Sequence, residues 1–587
     1  MSDATCSTAR RMRSHAVGRR RAAIVGLSLA LALAGAGPTL AKSLFVRAGA
    51  PPGGNGSRSN PFGSLAAVAS ASRPGDEIIV LPAPLSEPPL DGGIKLKPGQ
   101  RLIGGGPPLT LGRPLGRAAR ISNSSAAVNS GDAVVLADDV QVGNLVIVKA
   151  VRGGIYGRDV SGVRISGNDL SGTNSACAPG LYVYFPGDRP LLANGWAAIM
   201  IDEDRGTAWL SIRKNYIHDG ACSDGIDIRA SGRARVVARV SANTLTRLAQ
   251  GPGLRSVLAI GMQTRDSAVL AVDSDYDSET YIGSRAADCE GLFSNQTGGS
   301  LTWSIDHNTF AHGIGGGSCN GAEFFTGTGI ATTNLYIGHS TFEYDPGDMI
   351  EEDNGGGTSS VMNLTLEDVS VGHTSFPRAL AREPKFTNVQ YMDNLGRCMD
   401  QYSWGHRNVN NLRVIDSRFF DCYGDGIGAD VTGGAYAFGG SGGKSASMYL
   451  GDGEGDALSI DVENSRIEGT RQYALHFANH AAMADLKIRV ENSRLSGAKG
   501  AATVAVDQDA STEHADIDFG GKDAGSPGGN CIVGGAGLAA EVTGYDVFGK
   551  SDWWGSADGP AARQISVTDG KLYTSPPLRS PPPSCRR

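Results

Sequence analysis

The segments IDVENSRI (460–467) and IRVENSRL (488–495) repeat one pattern, with their last residues 28 positions apart. Apolar residues alternate, then come Asn or Ser, one further residue and a closing apolar side chain. The same pattern runs backwards through LRVIDSRF (412–419), LTLEDVSV (364–371), LYIGHSTF (335–342), SIDHNTF (304–310), ARVSANTL (238–245), LSIRKNYI (210–217) and VRISGNDL (163–170). From Leu170 to Leu495 the closing residues are separated by 47, 28, 65, 32, 29, 48, 48 and 28 positions. Short spacings suit one turn of a coil. Long ones suit two coils, or one coil with a large insertion.

A period of two, with no sustained 3.6-residue period, argues for strands throughout. Strands recurring at 20–50 residues indicate a solenoid or a propeller. A propeller blade takes four strands, more than a coil of 28 residues supplies. A parallel β-helix takes two or three short strands per coil, which fits. The Asn or Ser before each turn then stacks on its counterpart in the next coil and can bond the same atoms there.

Composition agrees. Glycine reaches 83 of 587 residues without a Gly-X-Y period, as expected for many tight turns. A net charge of −7 is mild for this length and argues against nucleic acid as a partner. Arg10, Arg11, Arg13 and Arg19–Arg21 precede the apolar run 22–37 and small residues at Thr39 and Ala41, the layout of a signal peptide cut after Ala41. No other segment is apolar enough over its length to span a bilayer. The nine cysteines less Cys6 of the leader leave eight, an even number that favours disulfides in an exported chain. Nearest-neighbour pairing (177–222, 289–319, 398–422, 531–585) is one of 105 arrangements. No Cys/His spacing forms a zinc motif.

The repeats resemble those of the right-handed parallel β-helix superfamily, the pectate-lyase-like group. LFVRAGAPPGGNGSRSNPFGSLAAVASASRPGDEIIVLP (44–82) resembles the opening segment of secreted bacterial β-helix proteins, where a short helix caps the first coil. SDWWGSADGP (551–560) is similar to their closing turn, with Asp552 where Asn is usual. The resemblance implies an all-β, single-stranded right-handed parallel β-helix with a short N-terminal capping helix. The expected organisation is a signal peptide at 1–41, a cap and first coils at 42–110, the β-helix at 111–560 with long loops at 246–300 and 420–457, and a Pro-rich tail at 561–587. Enzymes and binding proteins share all of these features, so they do not fix a function.

Aligning the coils on one another aligns candidate site residues. Six or seven positions past several markers stand Asp224, Asp348, Arg378, Asp425 and Tyr473, each two residues before an apolar one. Asp227, Glu351, Ala381, Gly428 and His476 follow that apolar residue, and both sets should face outward. The segment DPGDMIEEDNGGG (345–357) thus aims Asp348 and Glu351 at one face, with Arg378 expected in the coil between Asp348 and Asp425.

Three readings of this face compete. The first is a solvated Asp–Arg–Asp ladder that contributes little. The second, implied by the resemblance, is a lyase acting on an acidic polysaccharide. Asp348, Glu351, Glu352 and Asp353 would hold Ca²⁺, and Arg378 or Arg382 would serve as base. The third is an inverting hydrolase using Asp348 and Asp425, about 10 Å apart if two coils separate them. SDGID (223–227), which offers Asp224, matches part of a polygalacturonase motif, but the paired aspartates that should follow are missing.

Tyr402, Trp404 and His406 (in QYSWGHRN, 401–408), with Tyr473 and His476, are candidates to hold a sugar ring. His307, His312, His339 and His373 recur near the repeat markers, and their spacings in sequence do not make a metal set. No G-x-S-x-G elbow or phosphate loop is present. The expectation is a monomeric secreted or cell-envelope protein that binds, and in the enzymatic readings cleaves, an extracellular polysaccharide or cell-surface glycan. The competing class is a non-catalytic surface or adhesion protein.

Overall fold

The computed structural model describes residues 41–586 apart from 111–115, 185–189, 221, 250, 253, 255, 281–287, 314–318, 328, 356–357, 376–395, 432–433, 440–444, 452 and 522–524. Residues 1–40 of the expected leader lie outside this range, as do Arg378 and Arg382. Among the described residues, no helix is long and apolar enough to cross a membrane.

The chain winds as a parallel β-helix. A typical coil crosses three faces in order: Ile350–Asn354 on the first, Val361–Glu367 on the second and Ser370–Gly372 on the third. Each strand pairs in parallel with its counterpart one coil on. Ile350 lies against Met399, Leu364 against Leu412, and Val371 against Phe419. The third-face strands form a 13-stranded sheet. The first two faces merge because Ser256–Asp275 and Asp288–Asp306 run through both without a break. The helix Leu65–Ala71 lies near the N-terminus, with Ser64 accepting the N–H of Ala67 at its start.

The repeat markers fall in one column of register: Leu170, Ile217, Leu245, Glu279, Phe310, Phe342, Val371, Phe419, Ile467 and Leu495. The spacing of 65 therefore hides one extra coil, whose marker is the charged residue Glu279. The spacings of 47 and 48 are single coils with insertions, two of which hold the hairpins Pro179–Tyr184 with Pro190–Gly195 and Gly434–Gly439 with Ser445–Gly451. Residues 246–300 are not a loop but hold the two longest strands. The coil also continues past residue 560: Ile565–Thr568 and Lys571–Tyr573 pair with Leu538–Thr543 and Asp546–Gly549.

Two residues before each marker except Val371, where Val369 stands, polar side chains link coil to coil. The N–H of Asn168 donates to Asn215 Oδ1 (3.2 Å), that of Asn215 to Asn243 (3.0 Å), that of Asn243 to Asp277 (2.7 Å) and that of Asp277 to Asn308 (2.6 Å). Hydroxyls take over as acceptors from Ser340, then Ser417, Ser465 and Ser493. Asn530 and Asp552 end the column, the N–H of Asn530 donating to Asp552 at 2.9 Å. Backbone at the turn leaves the sheet ladder, so without these acceptors its buried N–H groups would be unpaired.

Four disulfides join Cys177–Cys222, Cys289–Cys319, Cys398–Cys422 and Cys531–Cys585, the nearest-neighbour pairing. They fit an oxidising, extracellular or periplasmic compartment.

Replacing Asn243 by Ala removes the acceptor shared by the Asn215 N–H and side-chain amide; the amide keeps Ile165 O, and the N–H is left unpaired in the buried column. Urea unfolding should show a loss of at least about 2 kcal/mol. Lys487→Ala on the exposed second face should change stability by less than about 0.5 kcal/mol.

Candidate functional site

The aspartates that the repeat brings into one column first of all hold the backbone. Asp132 Oδ1 accepts the N–H of Gly153 (2.9 Å), and Asp224 Oδ1 that of Leu258 (3.0 Å). Asp348 Oδ1 accepts those of Gly396 (2.9 Å) and Arg397 (2.8 Å), and Asp425 Oδ1 that of Tyr473 (3.0 Å). Each carboxylate ties the start of its own strand to the start of the strand one coil on. This is why Asp-Gly-Ile recurs, and it removes the motif at 224 as a catalytic signature. Asp224 is four coils from Asp348, about 19 Å along the helix axis.

The arginine between Asp348 and Asp425 is Arg397, and the expectation of Arg378 there is corrected. Met399 lies in register with Ile350 and Ile427, so Arg397, two residues earlier, is the counterpart of the two aspartates. The repeat was read 19 residues too early because 376–395 intervenes before the strand begins. Asp348 and Asp425 are thus two coils apart, about 10 Å.

Arg397 is fully buried. Its Nη1 meets Asp430 at 2.6 Å and Asp400 at 2.5 Å, and its Nε lies 3.0 Å from Asp425. Its guanidinium carbon stands 5.7 Å from the centre of the Tyr402 ring. Burial alone would lower its pKa, but Asp400 and Asp430 outweigh that and hold it well above the usual arginine value. His476 donates in the same network, 3.2 Å from Asp425 and 3.6 Å from Asp507. Burial opposes its charge, yet these two carboxylates raise it to about 10. Asp425 in turn is held below the usual carboxylate range, because Arg397 and His476 outweigh its burial.

The neighbouring acids behave oppositely. Glu323, Glu351 and Asp400 occupy one outward row in consecutive coils. Glu351 is partly exposed and accepts 2.6 Å from the Asn320 amide. Burial raises its pKa well above 4.5, and the charges of Asp353, Glu323, Asp348 and Asp400 add to that. Asp400 is raised too, by burial against the pull of Arg397. The face therefore sets carboxyls with raised pKa values beside Asp425, whose pKa is lowered, the kind of divergence from which general acid and base roles arise.

The proposed calcium set does not converge. Glu351 and Asp353 face outward, but Glu352 points into the coil, where the Gln401 amide donates to it at 2.8 Å. A carboxylate on the opposite side of the sheet shares no ion with the outward pair. Tyr402 and Trp404 stack at 5.4 Å and are almost fully buried in an apolar cluster outside the first face, with Phe293, Phe325 and Leu258. His406 lies in the turn beside Thr358. Tyr473 packs 4.6 Å from His476. Sequence reading missed Arg397, Asp400, Asp430 and Glu323. The signal for two of them was present, since Arg397-Cys398-Met399-Asp400 fits the template of Asp348-Met349-Ile350-Glu351.

No family model matches the chain, and no curated protein matches it. Among solved structures, it is similar to the periplasmic alginate epimerase AlgG at 11% identity and a TM-score of 0.30, over 75% of this chain and 77% of that one. A double mutant of AlgG matches at 11% identity and a TM-score of 0.31, over 76% and 78%. Similarity at this level assigns no residue and no activity. The chain's own strand pairing is what places it among the parallel β-helices.

Burial lifts the Glu352 carboxyl to about 8 from 4.5, against the opposing bond from Gln401. Its contribution to stability is therefore full below about pH 4.5 and is lost as pH rises towards 8. Glu352→Gln should gain on the wild type across that window by up to about 1.4 kcal/mol per pH unit, measured by urea unfolding at a series of pH values.

Proposed function

We propose that the first face acts on an extracellular polysaccharide by general acid–base catalysis, with Glu351 as proton donor. The observation that carries this is the position of Glu351. It is the partly exposed acid of a buried row, and burial, with four neighbouring acids, raises its pKa and so favours its protonated form. A neutral carboxylic acid at the edge of such a face can protonate a departing glycosidic oxygen. Arg397 and His476 hold the flanking Asp400, Asp425 and Asp430 in place and supply the compensating positive charge.

Arg397 does not supply the base of the expected lyase mechanism, and Arg378 and Arg382 lie outside the described residues. Three carboxylates hold Arg397 as a cation, so it does not accept a proton. No step is drawn through calcium, because Glu352 is turned away from the rest of its set. A face that repeats coil after coil, about 4.8 Å apart, suits a polymer better than a small substrate.

A non-catalytic surface protein is the second reading. It is favoured by the service of Asp224, Asp348 and Asp425 as backbone acceptors.

The test is incubation with neutral, amino-sugar and uronate polysaccharides, with new reducing ends and unsaturated products measured separately. Glu351→Gln, which keeps the side chain's shape and its neutrality, should fold normally and lose at least about 100-fold in turnover. Turnover unchanged in Glu351→Gln would remove Glu351 as the proton donor, and no polymer consumed by the wild type would favour the non-catalytic reading.

A further inference from the structure

The turn between the second and third faces brings together three side chains on a different part of the coil from the acidic row of the first face. Asp306 ends the strand Asp288–Asp306, and His307 follows it with φ of 55°. Gly338 stands one coil on from Asp306, and His339 follows it with φ of 47°. The two imidazoles therefore occupy equivalent left-handed positions in adjacent coils. Their rings stack at 4.8 Å and 14°, and Tyr276 stacks on His307 from the coil before.

Both imidazoles turn the same atom inward. His307 Nδ1 lies 3.0 Å from Asp306 Oδ2, and His339 Nδ1 lies 2.9 Å from Asp306 Oδ1. The three ligand atoms all fall within 4.8 Å of one another. Stacking fixes both rings and the strand end fixes the carboxylate, so little ordering remains to be done on binding. Asp306 is partly exposed and both histidines are exposed, which leaves a path for an ion and room for water as the remaining ligands.

We infer that Asp306, His307 and His339 form a binding site for a divalent transition-metal ion of the zinc class, clamping two successive coils. Two imidazole nitrogens and one carboxylate oxygen suit zinc, nickel or copper better than calcium, which takes oxygen ligands. The spacing of 32 residues between the histidines is one coil, which is why no local motif announces the set.

The test is equilibrium titration of the metal-stripped full chain with Zn²⁺, together with thermal unfolding with and without it. One Zn²⁺ should bind per chain and raise Tm. His307→Ala/His339→Ala should weaken that binding at least about tenfold and abolish the Tm shift, as expected when two of three protein ligands are lost. Glu351→Gln should leave both unchanged, which separates this site from the acidic row. Zn²⁺ binding that is absent from the wild type, equal in the double variant, or lost in Glu351→Gln would overturn the inference.

Discussion

In a parallel β-helix the nearest lateral neighbour of every side chain is its counterpart in the next coil, about 4.8 Å away. Like therefore stacks on like. For apolar residues this makes a continuous core, as in the stack of Phe310 on Phe342 at 5.1 Å. For polar residues it poses a problem, since each buried column has to satisfy its own donors and acceptors along the axis. The Asn and Ser column solves it by alternating roles, with each N–H donating to the side chain above. The aspartates before the first-face strands solve it in the same way, from Asp132 to Asp425.

The same constraint shapes the candidate site. A row of acids at Glu323, Glu351 and Asp400 would repel itself if all were ionised. Arg397, fully buried among three carboxylates, offsets part of the charge, and His476 offsets more. Two cations do not balance all of the carboxyls facing them, so burial and the neighbouring acids raise the pKa of Glu351, and burial raises that of Asp400 against the pull of Arg397. The raised pKa values here are thus a consequence of stacking, concentrated where the column is not neutralised.

Legibility in the sequence followed the same physics. The marker column and the Asn/Ser ladder were readable because each coil repeats a short local pattern, whereas the cysteine pairing was one arrangement among 105. Glu279 hid a coil because its marker is charged. Residues 256–264 were read as loop because both faces of that strand are buried, which removes the polar–apolar alternation. Arg397 was missed for a different reason: an intervening segment shifted the count by 19 residues, and register in a solenoid is set by strand pairing across coils, not by distance along the chain. The outward acid at 351 was legible from alternation alone. Its raised pKa was not, because that depends on burial and on Glu323 and Asp400 in the adjacent coils as well as on Asp348 and Asp353 nearby in the chain.

The central claim is that the first face carries a neutral carboxyl at Glu351 when the surrounding solution is neutral. Infrared difference spectroscopy between wild type and Glu351→Gln at pH 7 reads this directly, through the carbonyl stretch of a protonated carboxylic acid. The account predicts such a band in the wild type that is lost in the variant. A difference spectrum showing only the loss of an ionised carboxylate would contradict it.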